Sequence, residues 1–186
     1  MTATDTHRAV DALAARIGPA GEPVLLLDQD RARWDPLLIR RGLAALERAE
    51  RLGALGPYAL QAAIAACHAR AHTAGETDWP RIAALYDALA ELAPSPVVEL
   101  NRAVALGMAF GPAAGLELVE TLRSEPSLKG YHLLPSVRGD LLAKLGRLDE
   151  ASAEFKQAAS LTRNARERAL LLERAARCAG SRVEPP

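Results

Sequence analysis

The run Gly139-Asp140-Leu141-Leu142-Ala143-Lys144-Leu145-Gly146-Arg147-Leu148-Asp149-Glu150-Ala151-Ser152-Ala153-Glu154-Phe155-Lys156-Gln157-Ala158 decides the fold. Its apolar residues recur at helical spacing on both sides of Gly146-Arg147, so it reads as two helices joined by a tight turn. Each unusual residue has a task in that arrangement. Gly139 carries no Cβ and lets a second helix come close, Gly146 makes the turn, and Phe155 fills the space between the helices. Ala151 and Ala158 keep the facing surface shallow.

The positions Gly139, Leu142, Gly146, Ala151, Phe155 and Ala158 resemble the pattern of a tetratricopeptide unit, whose period is about 34 residues. Moving upstream by 36 residues gives Ala103, Leu106, Phe110, Gly115, Val119 and Leu122, a weaker copy. Further up, Ile82, Tyr86, Leu89 and Pro94 match the second half of a unit, after a loop too long for a regular first half. One regular unit and two degenerate ones imply an all-α fold: a partly degenerate, TPR-like array of antiparallel helix pairs, forming a right-handed α-solenoid of eight or nine helices. The competing reading is an irregular α-bundle, because helices rich in Ala and Leu produce such matches by accident.

Composition points the same way. The 186 residues are enough for one domain with a substantial core. Ala (39) and Leu (30) far outnumber Val (8) and Ile (4), and aromatics make up only 4%. Ala and Leu lose little side-chain freedom in a helix, whereas strands favour β-branched and aromatic residues. An all-β or parallel-sheet fold is therefore excluded. The 23 basic residues balance 23 acidic ones, and the isoelectric point is near 6.9. That balance argues against a domain that binds nucleic acid by itself, which needs a cationic footprint. Cys67 and Cys178 belong to no metal or redox spacing, and neither a secretory signal nor a membrane-length apolar run is present. The expectation is a cytoplasmic, reduced protein without a membrane partner.

Breaker residues divide the chain. Met1–Thr6 is polar, and His7–Ile17 has the stripe of a short amphipathic helix with Val10, Leu13, Ala14 and Ile17 on one side. Residues 1–21 therefore form a flexible or short helical leader, 22–179 the helical domain and 180–186 a loose tail. Pro23–Leu27 reads as an extended segment pressed on the core. Asp35 caps a helix over Pro36–Arg51, with Leu38, Leu43, Leu46 and Ala49 at helical spacing. Further helices are expected over Tyr58–His72, Trp79–Leu92, Val97–Phe110, Ala113–Arg123, Tyr131–Leu145, Asp149–Thr162 and Ala165–Ala179. Short Pro- and Gly-containing turns separate them.

No constellation in the chain announces catalysis. His68 and His72 lie four apart, the separation used by zinc proteases, but the general-base Glu of that motif is missing and no third ligand is near. A surface or helix-end pair is the ordinary reading. His132 follows Tyr131 at a helix start, where a structural hydrogen bond accounts for it. Asp28-Gln29-Asp30 with Trp34-Asp35 is the densest polar cluster. Such carboxylates can do acid–base work or hold a cation, or they can cap a helix and pair with Arg31 or Arg33; the second reading is preferred because no nucleophile accompanies them. Asn101-Arg102 interrupts an apolar helix and can grip a partner or link adjacent helices. Phosphate loops, nucleophile elbows and dinucleotide fingerprints are absent. No catalytic residue, metal ligand or cofactor is expected.

Six ordered segments carry a family resemblance. They begin with Val24-Leu25-Leu26-Leu27-Asp28-Gln29-Asp30-Arg31 and Arg33-Trp34-Asp35. Then come Gly56-Pro57-Tyr58 with Leu60-Gln61-Ala62-Ala63-Ile64-Ala65-Ala66, and Thr77-Asp78-Trp79 with Ile82-Ala83-Ala84-Leu85-Tyr86. Pro94-Ser95-Pro96-Val97-Val98 with Asn101-Arg102-Ala103-Val104-Ala105, Gly111-Pro112-Ala113-Ala114-Gly115-Leu116 and Tyr131-His132-Leu133-Leu134-Pro135 complete the set. In that order they resemble the TPR-like C-terminal extension of bacterial RNA polymerase sigma factors of the extracytoplasmic-function subfamily, over residues 22–176. A complete factor of that kind has two promoter-reading modules upstream, and 21 residues do not hold them. The chain is thus expected to be either a fragment carrying the extension or a free-standing relative, unable to bind promoters alone.

The resemblance implies a regulatory domain that works through protein contacts and is not an enzyme. Its partners would be the factor's own core modules, RNA polymerase or a companion protein, with no direct contact to nucleic acid. Stacked helix pairs leave a concave face for a peptide or a neighbouring domain. Val97, Leu100, Val104 and Met108 can line it or serve as core. Trp34, Asn101 and Arg102 join Val104 and Met108 as candidate contacts. Two other readings remain: a free-standing adaptor or small-ligand sensor unrelated to transcription, and an enzyme. A polar pocket joining His68, His72 and Asp28–Asp30 would be the mark of the enzyme.

Overall fold

The computed structural model describes residues 15–16, 18, 24–53 and 56–180. The expected His7–Ile17 helix, apart from Ala15 and Arg16, and the tail beyond Gly180 lie outside them. Among the described residues there are eight α-helices and no strand: α1 (Pro36–Arg51), α2 (Pro57–Arg70), α3 (Trp79–Leu92), α4 (Pro96–Phe110), α5 (Pro112–Leu122), α6 (Leu133–Lys144), α7 (Leu148–Leu161) and α8 (Ala165–Gly180).

The helix starts are written in the sequence. α1, α2, α4 and α5 each open on a proline, whose missing N–H is no loss in the first turn. Asp35 Oδ1 accepts the N–H groups of Leu37 (2.8 Å) and Leu38 (3.1 Å), and Ser95 Oγ accepts that of Val97. Asp78 Oδ1 does the same for Arg81 N–H at 3.0 Å. Gly146 (φ 75°) and Gly111 (φ 99°) turn the chain between helices in a region that side-chain-bearing residues avoid.

The chain divides into two compact units, Met1–Leu85 and Tyr86–Pro186. In the second, packing is sequential: α4 on α5, α5 on α6, α6 on α7 and α7 on α8, with α4 also touching α6. That is the pattern of a helical repeat array, in which each pair buries its face on the next. One continuous core includes Leu100, Ala103, Val119, Leu142, Phe155, Ala158, Leu171 and Ala175. A Cβ on Gly139 would stand 2.8 Å from the Phe155 ring, so the absence of a side chain on α6 makes room for the aromatic of α7. The upstream pair solves the same problem differently. There a Cβ on Gly115 would lie 2.5 Å from the Ala103 carbonyl oxygen and 2.9 Å from Gly107 Cα, so α4 and α5 approach backbone to backbone. Phe110, matched above to the turn glycine, is 63% exposed, and Gly111 makes the turn beside it.

In the first unit α1 packs on α2 through Leu46, Ala63 and Ala66, flanked by Leu43 and Leu85. Ile82 and Ala83 of α3 are buried, as are Ile64 and Cys67 of α2. Two expectations need correction here. Leu25, Leu26 and Leu27 are not pressed on the core but stand exposed, in a bend closed by Asp28 N–H donating to the Leu25 carbonyl. Leu38 shares the α1 stripe in sequence, yet it is 57% exposed. It sits in the first turn of the helix, ahead of the part that α2 covers at Leu43 and Leu46.

Candidate functional site

In the first unit the polar cluster before α1 is organised around Arg31. Sequence reasoning pairs Arg31 with a neighbouring aspartate; instead its Nη1 donates to the carbonyls of His68 and Ala71, each at 3.0 Å, and its Nη2 donates to Thr77 Oγ1 at 2.9 Å. The last carbonyls of a helix have no partner within it and favour a cation, so Arg31 caps α2 from a distant part of the chain. Its guanidinium also lies 5.2 Å from the centre of the Trp34 ring. Asp30 and Asp35 act as caps, Asp30 Oδ1 accepting from Ala32 N–H at 3.0 Å.

His68 stands beside this cap. Its ring meets Trp79 edge-on at 5.2 Å, and burial, then the nearby Arg31 charge, hold its pKa below the ordinary 6.5. Its Nδ1 is buried and makes no hydrogen bond. An open cleft of about 670 Å³ has walls of Val24, Leu26, Trp34, Leu38, Ile39 and Ala65, with Arg16, Gln29, Asp35 and His68 adding polar groups. His72 is exposed and lines a different, smaller cleft of about 350 Å³ with Arg70, Arg81, Glu76 and Asp78. The two histidines therefore face separate clefts, and among the described residues neither wall includes Asp28 or Asp30. No group of three potential metal ligands gathers among the described residues.

Four of the five candidate contacts lie on α4 in the second unit. Arg102 is engaged internally: Nε lies 2.6 Å from Asp87 Oδ1 on α3 and Nη1 donates to Glu99 at 2.9 Å. These contacts tie α4 to α3. Leu100, a candidate for the concave face, is core at 2% exposure. Val97, Asn101, Val104 and Met108 recur at intervals of four, three and four, which places them along one stripe of α4. Val97 and Asn101 are exposed, Val104 and Met108 half-buried. Lys144 Nζ of α6 reaches Met108 Sδ at 3.5 Å, so the stripe borders α6. Trp34, the fifth candidate, lies in the cleft of the first unit.

Sequence reasoning missed the Arg31 cap and a charge network around the buried Arg138 in the second unit. Arg138 of α6 donates to Glu120 of α5 at 2.7 Å and to Glu154 of α7 at 2.5 Å. Burial alone would raise the Glu120 pKa; hydrogen bonds from Arg138 and Arg123, with their charges, bring it below the ordinary value instead. Arg174 pairs with Asp140 and lies 4.3 Å from the Phe155 ring centre. The signal for Arg138 was its place beside Gly139 on a face that must be buried; nothing local named its partners. His132 Nε2 lies 3.4 Å from Glu167 Oε2, a carboxylate contact rather than the hydrogen bond at the helix start that the sequence suggests.

With these arrangements in view, comparison with known proteins gives the following. Residues 11–50 match a family of unknown function, DUF6596. An uncharacterized protein of Rhizobium meliloti (strain 1021) is 48% identical over 157 residues, covering 84% of this chain and 37% of that protein. The chain thus spans little more than a third of the length of this relative. No solved structure matches it. Among the described residues no helix is long and apolar enough to cross a membrane.

Proposed function

We propose that this chain is the regulatory, protein-binding extension of an RNA polymerase sigma factor of the extracytoplasmic-function subfamily. The six-segment resemblance carries the sigma-factor part of the proposal, and the length relation carries the part that makes this chain an extension. A stretch that makes up 84% of this chain is only 37% of its Rhizobium relative, so there the fold is one part of a longer polypeptide.

On this reading the domain acts by contact, without catalysis and without touching DNA itself, in the cytoplasm where transcription occurs. The α4 stripe of Val97, Asn101, Val104 and Met108 is the surface that receives the factor's polymerase-binding modules or a companion protein. Exposed Val97 and Asn101 begin it and the half-buried Met108 ends it against α6. Arg102 holds the stripe in place through Asp87 and Glu99.

The test is a calorimetric titration of this chain with the factor's promoter-binding modules. A complex is expected, weakened about tenfold by Val97→Asp or Asn101→Lys, both exposed positions whose substitution leaves the core intact. Absence of heat and of any complex with those modules, and with a companion protein encoded beside them, ends the reading.

A further inference from the structure

The cleft in the first unit has features that a protein-contact role leaves without purpose. Most of its wall is apolar, formed by Val24, Leu26, Trp34, Leu38, Ile39 and Ala65, and at about 670 Å³ it falls within the range of small-molecule sites. The polar groups in the wall are few and of opposite charge. Arg16 and Asp35 bring opposite charges to the same wall, and Asp35 Oδ1 is already held by two backbone N–H groups. Gln29 Nε2 donates to the Val24 carbonyl, which leaves its amide oxygen as an acceptor. His68 brings a buried Nδ1 with no hydrogen-bond partner, a deficit that a native structure normally satisfies.

We infer that this cleft is a binding site for an uncharged, largely apolar small molecule carrying one hydrogen-bonding group that meets His68. Charge decides the class. An anion would face the Asp35 carboxylate, and a cation would face Arg16 and the Arg31 guanidinium beside His68. Either would meet a like charge in the wall as well as an opposite one, while losing hydration against the apolar surface. A neutral molecule avoids that cost, covers Leu26 and Leu38, stacks on Trp34 and satisfies the imidazole. Arg31 fixes the site by gripping the carbonyls of His68 and Ala71 while lying against Trp34, so one side chain positions both a wall and the polar group. This site goes beyond the protein-binding reading and stands apart from it, because the α4 stripe belongs to the other unit.

Nile red, an uncharged apolar dye, and the anionic dye 1-anilinonaphthalene-8-sulfonate serve as probes with the full chain. Saturable Nile red binding with quenching of tryptophan fluorescence is expected, together with at least about tenfold weaker binding of the anionic dye. Leu38→Asp places a charge on the wall, and Ala65→Trp fills the space. Both positions are exposed, so helix content by circular dichroism is expected to stay unchanged while Nile red affinity falls about tenfold or more. Val97→Asp is expected to leave dye binding untouched, which separates this site from the proposed protein surface. Absent or non-saturable Nile red binding, binding insensitive to both wall variants, or preference for the anionic dye each overturns the inference.

Discussion

Gly139 and Gly115 are both buried helix glycines, yet they oppose a methyl group with different materials. At Gly139 the added carbon would press on the Phe155 ring at 2.8–2.9 Å; Phe155 is 1% exposed and has little room to yield. Gly139→Ala is expected to cost about 1–3 kcal/mol, less the gain in helix propensity, and Phe155→Leu in the same chain should recover part of it. At Gly115 the obstacle is the Ala103 carbonyl at 2.5 Å, and backbone moves only if the whole of α4 moves. Gly115→Ala should therefore be the more damaging, at about 3 kcal/mol or more by urea unfolding. The Gly139–Phe155 pairing was legible because two unusual residues at a known spacing explain each other. The Gly107–Gly115 contact was not, since the repeat register pointed at Gly115 without showing that its partner would be backbone.

His68 supplies a residue-scale prediction in pH. Its folded pKa lies below the ordinary 6.5, because burial and Arg31 oppose its charge. Between the folded value and about 6.5 the unfolded chain therefore binds a proton that the folded chain refuses. Stability is complete above that window and declines as pH falls through it, levelling once the folded ring also titrates. Urea unfolding followed at pH 8 and pH 5 should show this loss, and His68→Gln should remove most of it. An unchanged pH dependence in the variant would assign the loss to other groups.

At the scale of elements, helix boundaries were readable to within one or two residues because proline, glycine and capping side chains mark them locally. α1 and α3 fall where expected, over Pro36–Arg51 and Trp79–Leu92. What was unreadable is what holds one element to another. Arg31 reaches partners 37, 40 and 46 residues away, and no local spacing encodes such contacts. Two substitutions compare the local and the distant cap. Asp35→Ala removes the α1 cap and should cost about 1 kcal/mol. Arg31→Ala leaves the α2 carbonyls and buried Thr77 without their donor, so about 2–3 kcal/mol is expected, with loss of Nile red binding. Arg138→Ala, which removes the partner that Glu120 and Glu154 share, is expected to cost about 1–2 kcal/mol, because Glu120 keeps its contact with water.

At the scale of the molecule, the array in the second unit is stabilised by nearest neighbours, so damage to one interface should spread along the helices stacked on it. Phe155 is the largest side chain buried to that degree, and its loss leaves a cavity facing Gly139, which has no side chain to fill it. Phe155→Ala is expected to cost about 3–5 kcal/mol. The chain carries a built-in means of locating that cost. Both tryptophans, Trp34 and Trp79, belong to the first unit, whereas circular dichroism reads the helices of both. With a separate core in each unit, the variant should lower the midpoint of the dichroism transition while the tryptophan transition keeps its wild-type position. If both transitions move together, the two cores fold as one cooperative body.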